Sequence, residues 1–360
     1  MSRHHLLVPR MVERFALNLS GRIVLTEAAS GAYRLNPHIA AMAGAKVYCV
    51  VKDSRFAKKE EVAEQLYEDA KALGVQDAIE VVSDVLDAPL SDIDIVTNSG
   101  FVRPIDKRLI SRLNKQCVIS LMWETWEFRD SDFDLQYCKQ NDILCLGTNE
   151  SVAPLDMDSY AGILAVRLLF DLQLEVYKNQ VVLIGENRFS RRIFDYLNQV
   201  GADVYWFSND TEVGEGNIFP REFFIEWFSE NGLKVDAILL ADLVNDEPYT
   251  SDGNILSPIM LKGINPYVRI GVLAGVVDTD RLRSHELFVY PHNTMPAHFM
   301  SYQLYDIGPT PIMELYAAGL KVGQIMSALR HSGLTPKEAA LASLKESSLV
   351  MDFEGELAWT

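Results

Sequence analysis

The sequence has little basic charge and no long apolar run. It holds 33 lysines and arginines against 50 aspartates and glutamates, which gives a formal net charge of −17 over 360 residues. This surplus of acid opposes attraction to nucleic acid or to an anionic membrane surface. Apolar stretches such as residues 163–170 are far shorter than the roughly 20 residues that cross a bilayer. The composition therefore predicts neither a nucleic-acid-binding protein nor a membrane protein.

Cysteine is also scarce. The four cysteines are widely spaced, form no Cys-x-x-Cys pair, and lie mostly in apolar runs that read as strands: Cys49, Cys117, Cys138 and Cys145. Such cysteines are typical of reduced thiols in a protein core. No pair of histidines or cysteines has the spacing of a zinc site, and no apolar signal segment precedes a small-residue cleavage site. We therefore expect a cytoplasmic protein without a bound metal.

The sequence does contain a regular alternation of short apolar runs with helical stretches. This alternation is typical of parallel α/β architecture. It is interrupted by a long apolar helix over residues 156–172 and restarts with a strand at residues 181–185. The predicted fold class is α/β, with two Rossmann-like or flavodoxin-like parallel-sheet domains and a ligand cleft between them. The predicted domains are a substrate domain of residues 1–150 plus about 295–360 and an inserted dinucleotide-binding domain of residues 151–294.

Capping residues predict several helix boundaries. Gly74 follows an amphipathic stretch and is predicted to end its helix. Thr310 and Pro311 predict the start of a helix that stops at Gly319. Thr335 and the glutamate three residues later form a capping box that opens a last helix. We expect these C-terminal helices to return to the first domain.

The strongest chemical signal is the passage from strand 181–185 into a helix. In dinucleotide-binding folds this place carries Gly-x-Gly-x-x-Gly, whose backbone N–H groups hold a pyrophosphate. Here the turn reads Gly-Glu-Asn-Arg-Phe-Ser from Gly185 to Ser190, so only the first glycine is present. Asn187 tolerates a positive φ, and Ser190 is small enough for close packing. The turn suits a bound nucleotide and a purely structural unit equally well.

The end of the next strand bears on which nucleotide would bind. An acid there normally grips the adenosine ribose, but this sequence has Ser208, with Asp210 two residues later. A serine tolerates a 2′-phosphate better than an acid does, yet no arginine nearby confirms it. Both NAD and NADP therefore stay open as cofactors. The candidate cofactor-binding residues are Gly185, Asn187, Arg188, Phe189, Ser190, Ser208 and Asn209.

The order of motifs along the chain points to a family. Residues 117–122 and 141–149, the turn at Gly185, Gly-Val-Val-Asp at residues 275–278 and Pro291-His292 follow one another. From about Asp92 to His292 this order resembles the D-isomer-specific 2-hydroxyacid dehydrogenases in a strongly diverged form. The resemblance implies an NAD(P)-dependent oxidoreductase with His292 as general acid or base, and a homodimer paired through the nucleotide domain.

The sequence also departs from that family. The substrate-gripping arginine that precedes Gly-Val-Val-Asp in the family is replaced here by Leu273-Ala274. Only Glu286 is available to raise the basicity of His292. Where the family's first domain has a glycine-rich turn, this chain has two acids, Glu124 and Glu127, that would repel a carboxylate and suit a cation, an amine or sugar hydroxyls. The predicted catalytic residues are His292, Glu286 and Glu124.

Two loops at the carboxyl ends of strands predict a small-molecule pocket. One follows the first strand, and the other contains Arg103 and follows a later strand. Small residues with an arginine at this edge suit a ligand, although ordinary loops have the same composition. The candidate substrate-binding residues are Ser30, Gly31, Tyr33, Arg34, Ser99, Gly100 and Trp123.

Three functions fit these patterns. The first is an NAD(P)-dependent oxidoreductase acting on a small polar substrate other than a simple 2-hydroxy acid. The second is a lyase, isomerase or hydrolase on the same scaffold, in which Glu124, Glu127 and His292 transfer protons. The third is a non-catalytic binding protein whose aromatic stretches at residues 123–128 and 223–228 contact a partner.

Overall fold

The computed structural model describes residues 4–209 and 216–360, so the candidate ribose acid Asp210 lies outside the described residues. The chain divides into two compact units. Unit 1 contains residues 4–157 and Pro309–Thr360, and unit 2 contains Asp158–Gly308. Within the described ranges, no helix combines the length and the apolar character needed to cross a membrane.

Unit 1 is built on a mostly parallel sheet. Its described strands are β1 (Ile23–Glu27), β2 (Lys46–Val50), β3 (Ile79–Val82), β4 (Ile95–Thr97), β5 (Val118–Ser120), β6 (Leu144–Thr148) and β13 (Val350–Met351). They lie in the order β13-β6-β5-β4-β1-β2-β3, and only β13 is antiparallel to its neighbour. The six parallel strands have the order 3-2-1-4-5-6 of a dinucleotide-binding sheet, which reverses between β1 and β4.

The helices of unit 1 come from both ends of the chain. They are α1 (His4–Arg14), α2 (Asn36–Met42), α3 (Lys59–Leu73), α4 (Lys107–Ile110), α5 (Leu135–Gln140), α11 (Thr310–His331) and α12 (Pro336–Glu346). The predicted end of α3 is confirmed, since Gly74 takes a φ of 71°. The capping box at Thr335 is confirmed as well. The C-terminal α11 packs on β4, β5 and β6, so this unit is discontinuous in sequence.

Gly319 was predicted to end a helix, and this prediction is wrong. Gly319 lies inside α11, which continues to His331. A Cβ at this position would overlap the side chain of Met122. The glycine therefore serves the close approach of α11 to the chain that follows β5, and does not stop the helix.

Unit 2 repeats the strand order of unit 1. Its described elements are α6 (Ser159–Asp171), β7 (Gln180–Ile184), α7 (Asn187–Gln199), β8 (Asp203–Ser208), β9 (Ile218–Pro220), α8 (Phe224–Asn231), β10 (Ala237–Ala241), α9 (Pro258–Ile264), β11 (Arg269–Ala274), α10 (Thr279–Ser284) and β12 (Phe288–Tyr290). The strands are parallel and lie in the order β12-β11-β10-β7-β8-β9. The sheet therefore reverses between β7 and β10. The predicted α/β class with two parallel sheets is confirmed.

The sheet of unit 2 is buried on both faces. Val181 and Leu183 of β7 pack with α6 and α7 in one apolar cluster. Val182 and Ile184 alternate with them and pack on the other face, with Phe224 among their partners. A strand that is covered on both sides has no polar position, which explains the continuous apolar run in the sequence.

Alanine substitutions at two helical glycines would test this packing. A Cβ on Gly162 of α6 would overlap Tyr196 of α7, whereas a Cβ on Gly263 of α9 meets open space. We expect Gly162→Ala to lower the free energy of unfolding by about 1–3 kcal/mol, because overpacking outweighs the gain in helix propensity. Gly263→Ala is the matched control and should raise it by up to about 1 kcal/mol. Urea unfolding followed by circular dichroism measures both, and equal effects would contradict this packing of α6 on α7.

Candidate functional site

Unit 2 has the backbone of a phosphate-binding turn at the predicted place. β7 ends at Ile184, α7 begins at Asn187, and Asn187 has a φ of 65°. A Cβ on Gly185 would overlap both Ser190 and the carbonyl oxygen of Ala241. The Ser190 hydroxyl donates to that same oxygen over 3.0 Å. Strand, turn and helix are therefore packed as closely as the glycine-rich motif requires.

The side chain of Glu186 changes the chemistry of this turn. Its carboxylate lies at the end of β8, where it accepts hydrogen bonds from the Ser208 hydroxyl and, over 2.7 Å, from the Asn209 N–H. It also forms an ion pair with Arg221. Ribose hydroxyls are normally bound at the end of this second strand. In this chain the donors at that place bond to the carboxylate of Glu186.

Arg221 links this carboxylate to the end of β10. It donates to Asp242 and to the Tyr249 hydroxyl, each over 2.7 Å, and Tyr249 donates to Asp242. The guanidinium side chain is 11% exposed, and that of Asp242 is fully buried. Burial alone would raise the pKa of Asp242, but hydrogen bonds from Tyr249 and a backbone N–H, together with Arg221, hold it below its ordinary value.

In this arrangement, these residues do not fit a nicotinamide dinucleotide. Glu186 places a negative charge at the turn that would hold the pyrophosphate, and Arg221 spans the reversal point between β7 and β10, where the adenosine would lie. Arg188, another candidate contact, is paired with Asp158 over 2.7 Å. Phe189 packs against the apolar cluster of α6 and α7. The turn has the required backbone, but its side chains occupy the crevice.

The two catalytic candidates of unit 2 are not joined. His292 is exposed, and its carbonyl oxygen accepts a hydrogen bond from the Thr279 hydroxyl. The Glu286 side chain is 85% exposed and pairs with Lys262 over 2.8 Å. No hydrogen bond in the described part of the chain connects His292 with Glu286. Across the same residues, no group of three or more histidines, cysteines or acids has the geometry to hold a metal ion.

Unit 1 has a cluster of buried hydroxyl groups at its own reversal point. Thr26 lies near the end of β1, and its hydroxyl accepts hydrogen bonds from Thr97 of β4 over 2.8 Å and from Asn36 over 2.6 Å. Ser99 lies 2.6 Å from Thr97 and 3.3 Å from Thr26, measured between hydroxyl oxygens. Adjacent parallel strands bring their carboxyl ends to one edge, so residues more than 70 positions apart form one polar cluster.

Glu27 holds the loop that follows β4. Its carboxylate accepts hydrogen bonds from the backbone N–H groups of Gly100 and Phe101, and from the hydroxyl of Tyr316 on α11 over 3.4 Å. A Cβ on Gly100 would lie 3.2 Å from this carboxylate, so the glycine permits the close approach. Burial raises the pKa of Glu27 above its ordinary value, against the opposing effect of these bonds and of Arg103.

Three buried N–H groups near this loop have no partner among the described residues. They are Nδ2 of Asn98, Nε of Arg103 and Nε1 of Trp123. The guanidinium carbon of Arg103 lies 4.9 Å from the centre of the Trp123 ring, and Asn98 Oδ1 accepts from the N–H of Met122, the residue before Trp123. Arg103 also pairs with Asp132 over 2.7 Å. Buried donors are almost always satisfied, so these three groups are candidates to bond the acceptors of a ligand.

The structure brings some of the predicted substrate residues together. Ser99, Gly100 and Trp123 surround this edge, and the Tyr33 ring contacts that of Tyr316. Ser30 and Gly31 lie where a short 3-10 helix over Gly31–Arg34 begins. Arg34 instead bonds to Asp69 and Gln65 of α3.

Glu27, Asn98 and Tyr316 make contacts described above and were not among the candidate site residues. Glu27 and Asn98 lie in the two loops that were predicted to form a pocket, whereas Tyr316 was missed from the sequence. An acid directly after a buried apolar strand is the signal that would have indicated Glu27. Tyr316 has no such signal, because it comes from a helix nearly 300 residues away in sequence.

Glu124 and Glu127 are both sheltered from solvent. Glu124 is buried and accepts hydrogen bonds from Trp126 Nε1 over 2.6 Å and from the N–H of Glu150 over 3.1 Å. Burial and the charge of Glu124 raise the pKa of Glu127 to about 7. The pair therefore carries less negative charge at neutral pH than two exposed carboxylates would.

This raised pKa predicts a pH-dependent stability. Between pH 4.5 and about 7 the unfolded chain loses the Glu127 proton while the folded chain keeps it, so stability falls as the pH rises. Glu127→Gln removes this dependence. The compared quantity is the free energy of unfolding of the variant minus that of wild type. We expect this difference to be larger at about pH 8 than at pH 4.5, by on the order of 1 kcal/mol or more. Urea unfolding at both pH values measures it, with the exposed Glu60→Gln as control, and parallel curves would contradict it.

Comparison with solved structures finds this fold in two structures of dipicolinate synthase. The one from Bacillus halodurans is 12% identical, with a TM-score of 0.51 over 87% of this chain and 99% of that chain. The one from Bacillus subtilis is 14% identical, with a TM-score of 0.50 over 88% of this chain and 98% of that chain. No protein-family model and no curated protein matches the sequence.

A 2-hydroxyacid dehydrogenase from Ketogulonicigenium vulgare Y25 is also among the structures that match. It is 10% identical, with a TM-score of 0.49 over 88% of this chain and 98% of that chain. At such identities a likeness shows the fold and leaves substrate and cofactor open. The predicted resemblance to the D-2-hydroxyacid dehydrogenases is therefore confirmed as a resemblance of fold.

Proposed function

We propose that this protein is an enzyme that binds a small polar molecule at the carboxyl edge of the sheet in unit 1 and acts on it by proton transfer. The observation that carries this proposal is the group of three buried N–H donors without a partner among the described residues: Asn98 Nδ2, Arg103 Nε and Trp123 Nε1. Asn98 follows β4, one of the two strands between which the strand order reverses, and open α/β sheets bind ligands at such points.

The unmet donors define the chemistry of the substrate. Each buried N–H group without a partner costs about 1–3 kcal/mol, and a ligand that offers acceptor oxygens recovers this energy. Carbonyl, hydroxyl and carboxylate oxygens all qualify. Because Asp132 already pairs with Arg103, the site holds little surplus positive charge. We therefore propose a hydroxylated or carbonyl-bearing substrate with at most one negative charge.

Glu27 is the proposed proton-transfer group. Its raised pKa lets a carboxyl exchange protons closer to neutral pH than an exposed glutamate does. The amide N–H groups of Gly100 and Phe101 fix its orientation, and Tyr316 supports it from α11. A buried carboxyl beside unmet donors has the makeup of an isomerase or lyase site, in which one group moves a proton while donors stabilise the oxygen that gains charge.

Hydride transfer with a nicotinamide dinucleotide is the competing function, because unit 2 has the strand order and the strand-turn-helix backbone of a dinucleotide-binding sheet. It would use unit 2, where His292 and Glu286 are both exposed and are not hydrogen-bonded to each other. The Glu186 carboxylate also opposes a pyrophosphate at the turn. The side chains of unit 2 therefore favour proton transfer in unit 1 over hydride transfer.

The ligand site is tested with a tryptophan variant. We expect small hydroxy acids, keto acids or polyols to raise the melting temperature of the wild-type protein, and calorimetry to identify the tightest ligand. Trp123→Phe keeps the ring and removes only the Nε1 donor, so it should weaken that ligand about tenfold. Trp126→Phe is the matched control, since the Trp126 donor already bonds Glu124. Equal losses in the two variants would contradict a site at Trp123.

The chemistry is tested at Glu27. The tightest ligand found by calorimetry is assayed for turnover as a substrate. With it, we expect Glu27→Gln to lower kcat by about a hundredfold or more and to leave the dissociation constant within a few-fold of wild type. Turnover should continue in protein freed of nucleotides. Turnover that requires added NADH or NADPH would replace this proposal with hydride transfer, and an unchanged kcat in Glu27→Gln would remove Glu27 from the mechanism.

A further inference from the structure

We infer that an internal ion-pair network occupies the place of a dinucleotide site in unit 2, and that Glu186 is the group that excludes a nucleotide. The network consists of Glu186, Arg221, Asp242 and Tyr249. This inference concerns unit 2 alone and does not depend on the reaction proposed for unit 1.

The position of Glu186 supports the exclusion. It comes directly after Gly185 in the turn, and its carboxylate reaches the end of β8, where it bonds Ser208 and Asn209. A dinucleotide needs both places, the turn for its pyrophosphate and the end of β8 for its adenosine ribose. The oxygens of the Glu186 carboxylate already accept from Ser208, Asn209 and Arg221, so they are not offered to ribose hydroxyls as the acid at the end of this strand is in dinucleotide-binding folds. Its charge also has the same sign as that of the pyrophosphate.

The charged side chains of the network are largely closed to solvent, although Arg221 Nε has no partner among the described residues. The side chains of Glu186 and Arg221 are 12% and 11% exposed, and Asp242 is fully buried. Asp242 also accepts hydrogen bonds from the N–H groups of Val244 and Asn245. Opening such a network leaves buried charge without its partner, which is strongly unfavourable. A nucleotide would have to supply equivalent contacts before it could displace these side chains.

The bonds of Arg221 identify Glu186 as the deciding residue. Without Glu186, Arg221 still bonds Asp242 and Tyr249 and stays in place. The Ser208 hydroxyl, the Asn209 N–H and one edge of a guanidinium would then face the space that the carboxylate leaves. Three donors of this kind favour a phosphate. Removal of Glu186 alone should therefore create affinity for a dinucleotide that carries a 2′-phosphate.

The experiment titrates NADPH and NADH into full-length protein, followed by calorimetry and by nicotinamide fluorescence. We expect wild type to show no saturable binding at about 1 mM of either nucleotide. Glu186→Gly should bind NADPH, at least tenfold tighter than NADH. Glu286→Ala is the control, because it removes an exposed carboxylate of unit 2 and changes the net charge equally. It should bind neither nucleotide.

Each result decides the inference. Saturable binding to wild type would overturn it, because the network would then coexist with a nucleotide. A Glu186→Gly protein with a native circular dichroism spectrum and no NADPH binding would overturn the role of Glu186. If that variant does not fold, Glu186→Ala replaces it, since alanine removes the same carboxylate and keeps a more restricted backbone. Binding to Glu286→Ala would show that net charge alone is responsible, which would also overturn it.

Discussion

Parallel strands that are buried on both faces leave polar groups only at their ends. In unit 2, β7 is apolar after its first residue, Gln180, because apolar clusters cover both of its faces, and in unit 1 the strands β1, β4 and β5 are largely buried as well. Crossover connections bring all carboxyl ends of a parallel sheet to one edge. The chemistry of each unit is therefore concentrated at that edge, next to the reversal of the strand order.

The two units satisfy this edge differently. In unit 2, Glu186, Arg221, Asp242 and Tyr249 pair with one another, so acids and base meet inside the protein. In unit 1, hydroxyls and a carboxylate hold the loops, but N–H groups such as Trp123 Nε1 remain without a described partner. A ligand at the edge of unit 2 would have to displace the bonds between these charged groups, whereas a ligand at the edge of unit 1 would bond donors that have no described partner. The same strand order thus accommodates two different arrangements of polar groups.

Local sequence predicted the scaffold of the site better than its chemistry. The strand, turn and helix at Gly185 were predicted because a buried run followed by a glycine and a helix has a local signature. Asn187 was expected to accept a positive φ, and it does. The end of a helix was wrongly predicted at Gly319. Glycine occurs both at helix ends and where chains pack closely, and only the contact with Met122 shows that Gly319 is the second case. The partners of Arg34 on α3 had no local signal either.

The sequence by itself determined the α/β class, the repeated units and the edges where polar side chains gather, because these follow from the period and length of apolar runs. Only the tertiary structure decided which side chains meet there. Glu27 meets Tyr316 from the C-terminal α11, and Glu186 meets Arg221 across the end of a sheet. Such pairs depend on strand order and helix placement, which join residues far apart in the chain. The composition shows a surplus of acidic residues, but only the folded protein shows which of these carboxylates are paired with a base.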